Sequence, residues 1–158
     1  MKIMCIEDDE GMRFILRRYF QMADCEVVEA SSIDEALAMK GVHPAFVLIT
    51  LDLNLGAGGE VATLDRIEDL KAAWPEALVM VLTGVVDASE ESRVLEAGAH
   101  AMLLKRDTPE DGNILIRMGR KLRELAAGTG PSQINLAVAE VLAARFSQYV
   151  RHQGEAKA

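Results

Sequence analysis

The stretch VLITLDLNLGAGG, residues 47–59, joins an apolar run to a single acid and a glycine-rich loop. A nearly continuous apolar run of this length is typical of a central strand in a parallel sheet, where helices cover both faces. Asp52 follows the run directly, and a charge beside a buried strand is costly unless a cation, a metal or a reaction uses it. The stretch therefore predicts a parallel sheet with a polar site at the end of one strand.

Short apolar runs alternate with amphipathic segments along most of the chain. Strands are predicted at residues 2–6, 25–30, 45–51, 77–83 and 100–104. Helix signals lie between them, including Ser32 with Glu35 as a capping box, Trp74 and Pro75 at the close of the third helix, and Thr108 with Pro109 at the start of the fifth. This alternation predicts an α/β fold, a doubly wound five-stranded parallel sheet with strand order 2-1-3-4-5.

The C-terminal part of the chain differs from this pattern. We predict a domain over residues 1–126, a linker over 127–133, an amphipathic helix over 134–151 and a disordered tail over 152–158. The apolar positions of the extra helix recur at spacings of three and four residues, so that one stripe is expected to pack against something. The candidates are its own domain, a partner, or a second copy of the chain in a homodimer.

Composition restricts the partners and the location. The net charge of −8 opposes binding to a phosphate backbone, and a single helix after the linker is too little for a helix-turn-helix, so we expect no DNA partner. The apolar runs are too short to span a bilayer, and the N-terminus reaches acidic residues too early for a signal peptide. The sequence therefore predicts a cytoplasmic protein without a membrane contact.

Five chemically active side chains fall at the predicted carboxyl ends of strands. Glu7 and Asp8 follow strand one, Asp52 follows strand three, Thr83 ends strand four, and Lys105 follows strand five. In the order 2-1-3-4-5 these ends converge on one cleft. Clustered carboxylates repel one another without a cation, and Mg²⁺ prefers oxygen ligands, so the pattern predicts a Mg²⁺ site beside groups that can hold phosphoryl oxygens.

The segments CIEDDE, LDLNLG, VLTG and LLK together resemble the receiver domain of two-component response regulators, over residues 1–126. The resemblance implies a flavodoxin-like fold and a Mg²⁺ ion held by Glu7, Asp8, Asp52 and the backbone carbonyl of Asn54. It implies that the protein is not an enzyme in the usual sense, although it could promote its own dephosphorylation.

The resemblance also implies a switch. Asp52 becomes the phosphoacceptor, Thr83 the switch hydroxyl, and Lys105 the cation that contacts the phosphate. The expected phosphoryl donor is a sensor histidine kinase or a histidine phosphotransfer protein. The signal is expected to pass through protein contacts to a downstream protein that the sequence does not identify.

Three positions depart from the family pattern. Arg106 follows Lys105 where a proline is usual, so no cis peptide is expected there. Met102 occupies the place of the switch aromatic, which leaves a flexible thioether to report on Thr83. Gly56 replaces the proline that usually follows the acceptor loop, and this makes the loop more mobile.

Three alternatives remain open from the sequence. Counting forward from Pro44 puts Thr50 at the acceptor position instead of Asp52, and the domain would then be a pseudo-receiver, an interaction module that is not phosphorylated. The fold also suits a small Mg²⁺-dependent phosphohydrolase, although Asn54 stands where that class usually has a second acid. The acids after strand one could also simply cap the first helix.

Overall fold

The fold described here is that of a computed structural model, which describes residues 1–84, 88–105 and 112–126. Five strands form one parallel sheet in the order β2-β1-β3-β4-β5, which confirms the predicted fold class. The strands are β1 (Lys2–Ile6), β2 (Glu26–Ala30), β3 (Leu48–Asp52), β4 (Leu78–Thr83) and β5 (Ala101–Leu104). Strand β3 begins later than predicted and includes Asp52 as its last residue.

Helices lie between the strands in chain order. They are α1 (Glu10–Gln21), α2 (Ile33–Ala38), α3 (Gly59–Leu64), α4 (Ile67–Ala73), α5 (Ala88–Glu96) and α6 (Gly112–Ala126), with 3-10 turns at Met39–Gly41 and Gly56–Gly58. Ser32 caps α2 as expected, because its hydroxyl accepts the Glu35 N–H at 3.1 Å. The predicted linker, C-terminal helix and tail lie outside the described residues, as do Thr108 and Pro109.

The segment between β3 and β4 contains two short helices where the sequence predicts one. Helix α3 ends at Leu64 and α4 begins at Ile67, and Trp74 follows α4 as expected. At the break the Arg66 guanidinium donates to Asp69 on α4 and to Asp34 on α2. The amphipathic pattern predicts which face is buried, but it does not show where the hydrogen-bond ladder stops.

Two apolar layers cover the sheet. One layer joins strand side chains to α2, α4 and α5, and its largest member, Trp74, donates its indole N–H to the carbonyl of His43. The other joins strand side chains to α1 and α6, with Phe20 and Leu122 fully buried. Burial on both faces explains why β3 is apolar until its end. No helix among the described residues is long and apolar enough to cross a membrane.

His100 extends the pairing between β4 and β5, at the first residue of the fifth predicted strand. Its Nδ1 atom accepts the Val79 N–H at 3.0 Å, and its own backbone N–H donates to the Val79 carbonyl at 2.8 Å. Burial lowers the pKa of His100, with a further lowering from the nearby Lys71 charge. The ring is therefore held as a neutral acceptor.

We expect the stabilisation by His100 to be lost in mild acid. Because the pKa of His100 is lower in the folded than in the unfolded chain, its contribution is complete above the unfolded pKa of about 6.5 and falls as the pH drops below it. The measurement is the free energy of unfolding of the native chain and of His100→Gln between about pH 8 and about pH 5. The native chain should exceed His100→Gln in free energy of unfolding by less at about pH 5 than at about pH 8. A difference that does not change with pH would contradict the prediction.

Candidate functional site

Three carboxylates meet at the carboxyl edge of the sheet. Glu7, Asp8 and Asp52 each offer one oxygen, and these oxygens all lie within 4.8 Å of one another. Strand register explains the meeting, because Ile6 pairs with Leu51 and the next residues on the two strands are Glu7 and Asp52. Glu7 is 1% exposed and Asp52 is 3% exposed, whereas Asp8 faces solvent.

Lys105 supplies a positive charge to this cluster. Its Nζ atom lies 2.8 Å from Glu7 Oε2 and 2.8 Å from Asp52 Oδ1. Its backbone N–H donates to the carbonyl of Thr83 at 2.7 Å, which ties the lysine to the end of β4. Thr83 itself is fully buried as the last residue of that strand. The structure thus places the predicted lysine, threonine and acids at one edge of the sheet.

Burial and the neighbouring charges shift the pKa values of Glu7 and Lys105. Burial raises the pKa of Glu7 to about 7, with a contribution from the negative charge of Asp52 in the same direction, while the Lys105 ammonium opposes both effects. Burial lowers the pKa of Lys105, but its bonds to Asp52 and Glu7 outweigh this effect and raise the pKa overall. The lysine is therefore held charged, while Glu7 exchanges a proton near neutral pH.

The two oxygens of Asp52 have different surroundings. Oδ1 lies beside Lys105 and accepts the Asn54 N–H at 3.3 Å. Oδ2 receives no hydrogen bond among the residues described here. One oxygen is thus fixed by donors, and the other has its lone pairs available. Asn54 is exposed two residues after Asp52, at the position predicted for a carbonyl ligand.

Thr50 lies inside the sheet and not at its edge. It pairs with Cys5 on β1 and with Met80 on β4, it is fully buried, and its hydroxyl donates to the Met4 carbonyl at 3.4 Å. The spacing from Pro44 that favoured Thr50 fails because β3 begins only at Leu48. Of the two positions that the sequence left open, Asp52 is the one beside the lysine and the other acids.

Asp8 and Asp9, which follow β1, make different hydrogen bonds in the structure. Asp9 caps α1, since its Oδ1 accepts the Met12 N–H at 2.6 Å. Capping therefore does not require Glu7 or Asp8. The Oδ2 atom of Asp8 instead accepts the Gly56 N–H at 3.1 Å, a contact that the sequence did not indicate.

Arg13 makes a second contact that sequence reasoning missed. Its Nη1 atom donates to the carbonyl of Glu7 at 2.6 Å and to that of Asp8 at 3.0 Å. In the sequence it is one of several arginines in an amphipathic helix, and nothing in its spacing distinguishes it from a solvated side chain. Met102, by contrast, lies buried among apolar side chains at the position noted in the sequence.

The cluster fits a hard divalent cation. Three carboxylates share one ammonium group, so negative charge is in excess at the edge of the sheet. Glu7 Oε2 is buried and accepts no well-aligned hydrogen bond among the described residues, although it lies close to Lys105. Oxygen donors with unused lone pairs and excess negative charge are the donor set that Mg²⁺ or Ca²⁺ takes.

Comparisons with known proteins agree with this geometry. A family model described as the response regulator receiver domain matches residues 3–117. The transcriptional regulatory protein ResD of Bacillus subtilis is 27% identical over 122 residues, covering 77% of this chain and 48% of ResD. The response regulator protein VraR of Staphylococcus aureus is 29% identical over 114 residues, covering 70% of this chain and 52% of VraR. The chain thus spans about half the length of these curated relatives.

A solved structure shares the fold. It is a response regulator protein from Burkholderia pseudomallei with a phosphorylated aspartic acid, a calcium ion and citrate, at a TM-score of 0.61 and 24% identity. The match covers 81% of this chain and 75% of that chain. At this identity the likeness bears on the fold alone.

Proposed function

Because this chain belongs to the response regulator receiver domain family, we propose that it accepts a phosphoryl group on Asp52 in a Mg²⁺-dependent reaction and signals through protein contacts. Receiver domains are signalling modules of two-component systems, and response regulators act with sensor kinases. The observation that carries the proposal is the pair of environments at Asp52, with Oδ1 held by Lys105 and Asn54 and Oδ2 unbonded among the described residues.

The proposed reaction follows from that geometry. Oδ2 of Asp52 attacks the phosphorus of a phosphohistidine on a kinase or phosphotransfer protein. The new bond joins Oδ2 to phosphorus, the phosphorus–nitrogen bond breaks, and its electron pair stays on the departing imidazole. Lys105 is close enough to contact the phosphoryl group that forms on Asp52 and to balance part of its charge.

The metal part of the proposal rests on the donor set. Glu7, Asp8, Asp52 and the Asn54 carbonyl would hold Mg²⁺. When bound, the ion would neutralise phosphoryl oxygens and lower their repulsion of the attacking carboxylate. The Burkholderia pseudomallei protein, which was solved with a phosphorylated aspartic acid and a calcium ion, supports the proposal by analogy, since it holds both groups on the same fold.

Thr83 is the proposed switch residue. A phosphoryl group on Asp52 carries new negative charge that a nearby hydroxyl can approach, and this biases a two-state rearrangement near α5, β5 and α6. Met102 would have to transmit the change by repacking, because it takes the place of a rotating aromatic ring. A downstream protein responds only if it binds the two states with different affinity.

The first test is the intact mass of the chain after incubation with acetyl phosphate. We expect a phosphoryl adduct with Mg²⁺ present and none when a chelator removes it. Mg²⁺ alone should raise the free energy of unfolding by about 2.7 kcal/mol at one hundred times its dissociation constant. A pseudo-receiver would show neither effect, and steady release of phosphate from a phosphate ester would favour the phosphohydrolase instead.

Partners and location remain proposals for the whole protein. A sensor histidine kinase or a histidine phosphotransfer protein is the proposed donor, and the cytoplasm is the proposed location. The predicted absence of a DNA partner is unsupported, because the chain spans about half the length of its curated relatives and ResD is named as a transcriptional regulatory protein.

We propose that the segment at residues 134–151 forms a helix that packs on its own domain or pairs two copies, because its apolar stripe is too continuous to stay in water. Deleting residues 131–158 should therefore lower either the mass measured by light scattering or the free energy of unfolding. The control is the full chain at the same concentration. Unchanged association state together with unchanged stability would contradict both versions.

A further inference from the structure

Arg13 and Gly56, which are outside the proposed ligand set, donate hydrogen bonds to the acidic loop, which we define as residues 7–9. The first is the Arg13 guanidinium on α1, which donates to the carbonyls of Glu7 and Asp8 at 2.6 and 3.0 Å. The cap of α1 by Asp9 fixes the start of the same helix. The backbone of the acidic loop is therefore attached to the first turns of α1.

The second donor is the backbone N–H of Gly56, which reaches Asp8 Oδ2 at 3.1 Å. Gly56 lies in residues 53–59, the segment that follows β3, so the bond joins two loops 48 residues apart in sequence. The φ angle of Gly56 is +60°, which favours glycine. A proline here could offer neither this angle nor an N–H.

We propose that Arg13 and the Gly56 amide are positioning groups that hold the Asp8 carboxylate against Glu7 and Asp52 before a cation arrives. The inference rests on the proposed function, because it concerns the same Mg²⁺ site. Asp8 is exposed, so without these donors its side chain could turn into solvent, and cation binding would have to order it. With Oδ2 on the Gly56 amide, Oδ1 remains available for the cation.

This arrangement gives the glycine at position 56 a definite role. Groups that donate hydrogen bonds to the ligands of a metal site commonly raise its affinity for the metal, because they fix the orientation of the ligand atoms. Here one donor acts on the backbone of the acidic loop and the other on the side chain of Asp8. The two donors come from different elements, so each can be removed separately.

The test is Mg²⁺ binding by calorimetry on the full chain. Arg13→Met keeps the apolar stem of the side chain and removes the guanidinium. Replacement of Gly56 by glycolic acid turns its N–H into an ester oxygen. Each change should raise the Mg²⁺ dissociation constant about fivefold. Arg17→Met is the matched control, because Arg17 lies on the same helix and pairs with Glu29 instead.

Native affinity in both variants, tighter binding in the ester variant, or an equal loss in Arg17→Met would overturn the proposal. A second readout needs no metal. Exchange of the Gly56 amide hydrogen, followed by NMR without divalent cations, should become faster in Asp8→Ala, and unchanged exchange would overturn the contact itself.

These outcomes separate the inference from the proposed function. If the native chain binds Mg²⁺ and the variants weaken binding, but acetyl phosphate leaves no adduct, the positioning groups stand and the phosphoacceptor role fails. If the adduct forms and the variants bind Mg²⁺ as the native chain does, the positioning proposal fails. A native chain that binds no Mg²⁺ overturns both the proposed metal site and the positioning of Asp8 for it.

Discussion

Asp52→Asn is expected to abolish the phosphoryl adduct that acetyl phosphate leaves on the native chain. The amide has nearly the same shape as the carboxylate, but it is a far weaker nucleophile and carries no charge for a cation. In Asp52 the oxygen beside Lys105 is hydrogen-bonded and the other is left unbonded by the described residues, whereas in Glu7 the oxygen without a hydrogen bond is the one beside Lys105. We therefore expect no other residue at the edge of the sheet to replace Asp52. The measurement is intact mass after incubation with Mg²⁺ and acetyl phosphate, with the loss expected to be complete.

The matched control for this experiment is Thr50→Val. Thr50 is the other acceptor position that the sequence allowed, and it lies two residues earlier on the same strand, with its hydroxyl on the Met4 carbonyl. The valine variant should lose about 1 kcal/mol of stability and keep the adduct. An adduct that persists in Asp52→Asn, or one that disappears in Thr50→Val while the chain stays folded, would contradict the assignment.

Lys105→Met is expected to lower the free energy of unfolding of the metal-free chain by about 3–5 kcal/mol at alkaline pH, where both carboxylates are ionised. The lysine is the cation paired with both Glu7 and Asp52, and its loss leaves two buried carboxylates facing each other. Denaturant unfolding with a chelator present measures the loss. Lys121→Met is the control, because Lys121 makes an exposed pair with Glu124, and less than about 1 kcal/mol should be lost there.

The physical cause of this loss has its own signature. Mg²⁺ should restore most of the stability, since it replaces the missing positive charge. Burial raises the pKa of Glu7 to about 7 although Lys105 opposes this, and removal of the lysine raises it further, so the deficit should shrink as the pH falls toward 7 and change little below it. Adding Glu7→Gln should also recover part of the loss. If the loss in free energy of unfolding is unchanged by Mg²⁺, by pH and by the second substitution, Lys105 acts through packing instead of charge.

Most of the fold could be predicted because its signals are local. Apolar runs, helix periodicity and capping residues depend on neighbours within a few positions, and β1 was predicted with the bounds that the structure has. The start of β3 and the break between α3 and α4 were predicted less well. Both depend on pairing and packing with distant segments, such as the contact of Arg66 with Asp34.

The sequence by itself determined the parallel sheet, its strand order and the chemical types at its carboxyl edge. Glu7, Asp52 and Lys105 follow three apolar runs, and the carboxyl ends of parallel strands must meet. Only the tertiary structure decided which residue of β3 reaches that edge, because the ladder with β1 and β4 places Thr50 inside the sheet. The contact of Gly56 with Asp8 was also decided by the tertiary structure alone. These residues are 48 positions apart, and their contact depends on how two loops fold at the edge of the sheet, which local sequence preferences do not determine.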